Sequence, residues 1–308
     1  MILRDRPSGW TIFLITRGSV LPRIGRILAF NVALATAVTI THGAFFQFSL
    51  TISTIPFSLI GLPLAIFLGF RNSAAYGRYW EARKLWGELL LQTRNLTRQC
   101  LQLMEPPAAG QPDLRARMLR RAVAYCHALR VQLRGRSDFA EAQALVEPGE
   151  WQQVRRSSDP AAALMLRMGA DLAPARRDGL VDAPLTLQID TALCAMTAAA
   201  AGCERIRHTP IPFSYTLLLH RTAYLYCFLL PFGLVDTLTV MTPVVVAIVA
   251  YTFFGLDALG DEIEEPFGEQ PNDLPLDAIC RTIEIGVREA LGETNLPPPL
   301  QPVDHWLR

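Results

Sequence analysis

Pro56-Phe57-Ser58-Leu59-Ile60-Gly61-Leu62-Pro63-Leu64-Ala65-Ile66-Phe67-Leu68-Gly69-Phe70-Arg71-Asn72-Ser73 runs, with no turn signal, into Tyr76, Arg78, Tyr79, Trp80, Glu81, Arg83 and Lys84. Its apolar part is long enough to supply most of the roughly 20 residues that cross a hydrocarbon core. The polar continuation predicts one long helix that leaves a bilayer and goes on into water. Leu62, Ile66 and Phe70 recur every four residues, so they share a helical face that drifts slowly around the axis. Pro63 falls inside the helix and leaves the carbonyl one turn earlier without its N–H partner. In a membrane such a group is tolerated beside protein or pore water.

An apolar stripe at helical spacing ordinarily packs against another helix. Here Pro63, Gly61 and Gly69 share the segment, Ser58 and Ser73 bracket it, and its polar end calls for a wet mouth. If several copies surround an axis, the three positions form apolar rings that gate by excluding water from a constriction. From the residues alone the stripe reads either as a packing face between helices or as the lining of an ion pore.

The rest of the 308-residue chain fits a membrane protein: 51% of residues are hydrophobic, 19% charged, and the mean hydropathy is +0.24. A net charge of +1 gives no case for nucleic-acid binding. The six cysteines show no C-x-x-C pair and no zinc spacing, which predicts reduced, mostly buried thiols. Arg4, Arg6, Arg17, Arg23 and Arg26 precede the first apolar run without a convincing cleavage site, so residues 1–26 are expected as a retained cytoplasmic segment. Trp10, Ile12, Phe13, Leu14 and Ile15 suit either a helix on the membrane surface or a short packing helix. A first span is expected from Ile27 to about Phe48. The connection from His42 to Thr54 has no lysine or arginine, which puts it outside and the N-terminus inside.

The second helix is expected to start at a Ser53 or Thr54 cap with Pro56 in its first turn, and to end near Met104. Further helices are expected at 113–134, 138–146, 150–156 and 160–172, then from Leu180 to Arg207. No segment within 71–208 reads as apolar enough to span. Spans at 213–232 and 234–258 follow, with an outer link around Gly233 to Thr242. Arg221 inside the first of these should face protein or snorkel. A last helix from Leu276 to Leu291 precedes a proline-rich tail, and both termini fall inside. The expected fold is an all-α membrane protein with four transmembrane helices and a helical cytoplasmic domain, the second helix being continuous between them. The expected parts are residues 1–26, spans within 27–70, a cytoplasmic domain of 71–212, spans within 213–258, and a cytoplasmic segment of 259–308.

Signatures of enzyme chemistry are absent: there is no G-x-S-x-G, Walker A loop, G-x-G-x-x-G or H-E-x-x-H. Neither an enzyme nor a cofactor is expected. Asp261, Glu262, Glu264, Glu265 and, further on, Asp273 form an acidic stretch near the inner mouth. Its spacing is not that of a calcium loop, and a solvated helix end with an intersubunit contact is the simpler reading. The arginines at 115, 117, 120, 121, 130, 134 and 136 read as a solvated face with acidic partners or as an anion-attracting surface. None of the five histidines has ligand spacing, so no metal site is expected.

The sequence resembles the bacterial bestrophins in four ordered blocks: Ser58-Leu59-Ile60-Gly61 through Leu68-Gly69-Phe70-Arg71-Asn72-Ser73; Arg78-Tyr79-Trp80-Glu81-Ala82-Arg83-Lys84-Leu85-Trp86-Gly87; Thr209-Pro210-Ile211-Pro212-Phe213-Ser214-Tyr215-Thr216; and Glu265-Pro266-Phe267-Gly268. The resemblance implies a homopentameric channel of a bacterial inner membrane, passing monovalent ions along one axial pore, with lipid as its other partner. It places Leu62, Ile66 and Phe70 on a three-ring neck that includes Pro63. It also selects Leu185, after Asp182-Ala183-Pro184, as a cytoplasmic aperture. Animal relatives bind calcium after Pro-Phe-Gly; here Glu269-Gln270-Pro271-Asn272-Asp273 has an amide for a carboxylate and an intruding proline, so no calcium is assigned. Resemblance to a cation-passing bacterial relative slightly favours cations. Chloride conduction, as in animal relatives, is the alternative, and a carrier or scaffold a more remote one.

Overall fold

In a computed structural model of the chain, residues 1–4, 9–10, 15–16, 18–41, 44–45, 48–49, 53–108 and 110–308 are described. Ile12, Phe13 and Leu14 of the expected surface segment, and His42 of the outer connection, lie outside them. The described elements are α1 (Leu21–Ile40), two paired two-residue strands β1 (Ala44–Phe45) and β2 (Phe48–Ser49), α2 (Ile55–Leu103), α3 (Leu114–Leu133), α4 (Ala140–Gln143), α5 (Pro148–Val154), α6 (Pro160–Arg177), α7 (Ala183–His208), α8 (Phe213–Leu238), α9 (Thr242–Glu264) and α10 (Leu276–Ala290). The chain forms two compact units: residues 4–79 with 210–265, and residues 1–3 with 80–209 and 266–308.

In the first unit α1 packs on α8 and α9, and α8 packs on α9. The first helix begins at Leu21, ahead of the expected Ile27, because Pro22 is well suited to a first helical turn. Arg23 does not prevent this, since it reaches the Asp261 carboxylate at 3.4 Å. The helix stops at Ile40, short of the expected Phe48, which instead begins β2. The side-chain amide of buried Asn31 donates to the Cys227 carbonyl at 2.9 Å and ties α1 to α8.

α2 is one helix of 49 residues. The Ile55 N–H reaches the Ser53 hydroxyl at 3.4 Å, and the Ser58 N–H donates to the Thr54 carbonyl at 3.2 Å. Its buried positions within the first unit are Phe57, Leu64, Leu68, Arg71 and Ala75, a stripe at three- and four-residue spacing and its multiples.

The link expected around Gly233 is instead helical, and α8 continues to Leu238. A side chain at Gly233 would run into the ring of Phe57. This glycine therefore permits close helix packing and does not mark a turn. The break comes at Thr239–Met241, a single 3-10 turn opened by Thr239 at φ 44°.

The second unit is built on α3, which packs against α4, α6, α7 and α10. The arginines of α3 have the acidic partners expected of them, but only Arg120 is exposed and two turn into the unit. Arg121 and Arg130 are buried, Arg121 against Glu150 at 2.6 Å and Asp171, and Arg130 against Asp277 at 3.0 Å and Glu141. α6 runs through Pro174 to Arg177, past the expected end at 172, because Leu172 and Ala175 are buried and hold the last turn in place. Met1 to Leu3 pair with the C-terminal segment: the Leu3 N–H donates to the His305 carbonyl at 2.8 Å, and the Leu307 N–H to Met1 at 2.9 Å.

Among the described residues four stretches are long and apolar enough to cross a membrane: Leu21–Ile40, Ile55–Leu103, Ala183–His208 and Phe213–Glu264. The third corrects the expectation that no segment within 71–208 qualifies. Its run of alanines at 198–201 lifts the mean hydropathy to 1.2, against 2.0 for Phe213–Glu264. All six cysteines are free thiols, and only Cys194 is exposed. Burial pushes Cys100, Cys126 and Cys203 up to about 12, which keeps them protonated.

Buried His127 lies between two carboxylates, Glu141 at 3.5 Å and Glu284 at 3.4 Å, joining α3 to α4 and α10. These are ion-pair distances, longer than close hydrogen bonds. Burial opposes the imidazolium, but the two carboxylates outweigh it and raise the pKa above 6.5. A raised folded-state pKa contributes stability that is complete below the unfolded value and lost as pH rises through the folded one. His127→Gln should therefore flatten the fall in thermal midpoint as pH increases from about 6.5; an unchanged slope would contradict the pairing. In the first unit, Gly233→Val should destabilise by about 1–3 kcal/mol. Combined with Phe57→Ala, it should cost less than the sum of the two single changes. Strict additivity of unfolding free energies would contradict the contact.

Candidate functional site

Within the first unit the start of α2 has two different faces. Leu64 and Leu68 are buried against Leu219, Ala223 and Phe254. Leu62, Ile66 and Phe70 are 67%, 46% and 62% exposed, and Pro63 is exposed beside them. Both sets recur at helical spacing, and a step of two residues turns the helix by about 200°. One chain therefore fills one face of the helix and leaves the other bare. The carbonyl of Phe67 accepts a hydrogen bond from the Tyr215 hydroxyl at 3.1 Å, and Phe67 meets Phe70 edge to face at 6.3 Å between centroids.

One residue beyond Phe70, the buried Arg71 turns into the unit. Its guanidinium donates to the Asp257 carboxylate at 2.9 Å and backbone carbonyl at 3.3 Å, pairs closely with Asp261, and lies 3.6 Å from Glu264. Asp257, Asp261 and Glu264 are spaced by four and three residues, which aligns them on one face of α9. Each has a second partner. The other Asp257 oxygen is 2.6 Å from the His220 ring, Asp261 meets Arg23, and Glu264 accepts from the Ile211 N–H at 2.9 Å. Arg78 also donates to the Glu264 carbonyl at 3.1 Å. The approach of α2 to α9 is close enough that a Cβ at Gly260 would press on Asn72 Oδ1 and lie 3.3 Å from an Arg71 nitrogen.

The acidic stretch thus divides by role. Asp261 and Glu264 neutralise Arg71, Glu262 is buried, and Glu265 is exposed. Asp273 belongs to the second unit, where its buried carboxylate accepts from the Gln270 N–H at 2.6 Å and closes the turn before α10. Leu185 also lies in the second unit, half-buried in the first turn of α7, with its N–H on the Asp182 cap at 2.8 Å. Arg221 is exposed on α8. Among the described residues no three His, Cys, Asp or Glu side chains gather to hold a metal ion.

In the sequence Arg71 stands within a bestrophin-like block and where the second helix turns polar, with no partner assigned to it. The signal for its role was the run Asp257, Asp261, Glu264, whose helical spacing offers three carboxylates to one cation. His220, adjacent to the arginine that drew notice, supplies the paired imidazole.

The sequence profile described as Bacterial/Fungal Bestrophin protein matches residues 1–289. A voltage-dependent anion channel-forming protein of Mesorhizobium japonicum is 47% identical over 308 residues, covering 99% of this chain and 96% of the relative. The voltage-dependent anion channel-forming protein YneE of Escherichia coli K12 is 39% identical over 306 residues, 99% of each. Among solved structures, a bacterial bestrophin homologue from Klebsiella pneumoniae superposes with a TM-score of 0.80 at 38% identity, covering 86% of this chain and 97% of the other. With its helical fold, its bare apolar stripe on α2 and these matches together, the chain belongs to the bacterial and fungal bestrophin family.

Proposed function

We propose that the chain is one subunit of a homopentameric ion channel of a bacterial inner membrane, with Leu62, Ile66 and Phe70 lining its neck. The observation that carries this reading is the bare face of α2: three large apolar residues, four apart, opposite the stripe the chain buries. Five copies around an axis stack these positions as three apolar rings. Water leaves such a constriction readily, so the barrier to an ion is set by ring size and hydration. The names of the relatives, which are channel-forming proteins, support the same function. Members of this family are channels and not enzymes. Four spans per subunit with both termini in the cytoplasm, flanked by the cytoplasmic residues 71–212 and 259–308, complete the proposed arrangement, with Leu185 as a second aperture and lipid around the spans.

On ion choice, the slight expectation of cations rests on resemblance, and much of the acidic stretch is engaged within the chain. Asp261 and Glu264 are paired with Arg71, and the buried arginines of α3 are paired in the same way. The relatives are named for anions, which favours passage of small monovalent anions such as chloride.

Purified protein in a planar bilayer should give unitary current steps, and Ile66→Ala and Phe70→Ala should each raise the conductance. Unchanged currents in both would remove the neck assignment, and saturable flux without steps would favour a carrier. Under a salt gradient the reversal potential should lie toward the anion equilibrium value; the opposite sign would restore cations. The native mass in detergent should equal five copies of a 34.2 kDa chain.

A further inference from the structure

We propose that Arg71 is a positioning residue for the neck, fixing the rotation of α2 so that Phe70 faces the pore; this rests on the reading of Leu62, Ile66 and Phe70 as pore lining. Successive helical residues are about 100° apart, so the direction of Arg71 sets the direction of Phe70. Leu64 and Leu68 hold α2 by apolar contact, which is non-directional and tolerates small rotations. A guanidinium forked between carboxylates is directional, and in a buried setting it has no alternative partner in water. Asp257 and Asp261 take the two terminal nitrogens, and Glu264 stands beside Asp261. His220 on α8 and Arg23 on α1 engage Asp257 and Asp261 from their other sides, the Ile211 N–H donates to the Glu264 carboxylate, and Arg78 donates to the Glu264 backbone carbonyl. Gly260 lets α9 pass close beside the pair, since a Cβ there would meet Asn72 Oδ1 and the Arg71 guanidinium. Rotation of the neck and integrity of the ion pair are thereby linked.

Gly260→Ala tests this without changing any charge, because the added methyl presses on Asn72 and on the guanidinium. In planar bilayers Gly260→Ala and Arg71→Gln should each shift the single-channel conductance about twofold or more. Arg71→Lys, which keeps the charge but not the fork, should recover part of the loss. In a Phe70→Ala background, Gly260→Ala should have a clearly smaller effect than in the wild type, because the ring nearest Arg71 is gone and only Leu62 and Ile66 remain to be turned. A purely structural role would make the two changes multiply. Wild-type conductance in Gly260→Ala, or effects that multiply with Phe70→Ala, would overturn the positioning role. If Arg71→Gln fails to assemble by native mass, the Gly260→Ala pair decides alone. A wild type that conducts with no response to Phe70→Ala would instead overturn the neck reading beneath the proposal.

Discussion

A buried guanidinium in an otherwise apolar helical unit is the constraint from which the rest follows. Arg71 without partners would be prohibitive, and removing one member of such a buried pair typically costs about 3–5 kcal/mol. The chain answers with Asp257, Asp261 and Glu264 on one face of α9 and sets each against a further group. Once α2 is held to α9 at that residue, helical geometry turns Leu64 and Leu68 inward and leaves Leu62, Ile66 and Phe70 bare. The feature that looks functional is the complement of the feature that is structural.

The same use of charge recurs in the second unit. α3 carries most of its arginines inward or beside acids, and His127 joins two carboxylates from different helices. A net charge of +1 therefore conceals networks of matched charges. For a channel this has a consequence. In the channel proposed above, Asp257, Asp261 and Glu264 are engaged by Arg71, which leaves hydration of the three apolar positions to govern passage.

The long second helix was legible because its apolar period runs unbroken into polar residues, and its cap at Ser53 and end after Leu103 follow from local chemistry. The stripe at 62, 66 and 70 was legible as a face, although periodicity alone could not say whether that face was packed or bare. What the sequence obscured was set by contacts between distant residues. Gly233 resembles a turn residue until Phe57 is found against it. Alanines in α7 read as too weakly apolar to notice, yet their sum reaches the range of a span. Arg71 seemed a boundary marker because its partners lie some 190 positions away. The burial of Arg121 and Arg130 was hidden because their acidic partners come from other helices.

Cysteine accessibility measures most directly which face of α2 meets the ion path. In a Cys194→Ser background, which removes the exposed thiol, cysteines are placed singly at Ile66 and at Leu68, and a charged thiol reagent is applied during current recording. A pore lined by Leu62, Ile66 and Phe70 requires rapid change of current with Ile66→Cys and none with Leu68→Cys. Modification that alters current at Leu68→Cys while leaving Ile66→Cys untouched would contradict it.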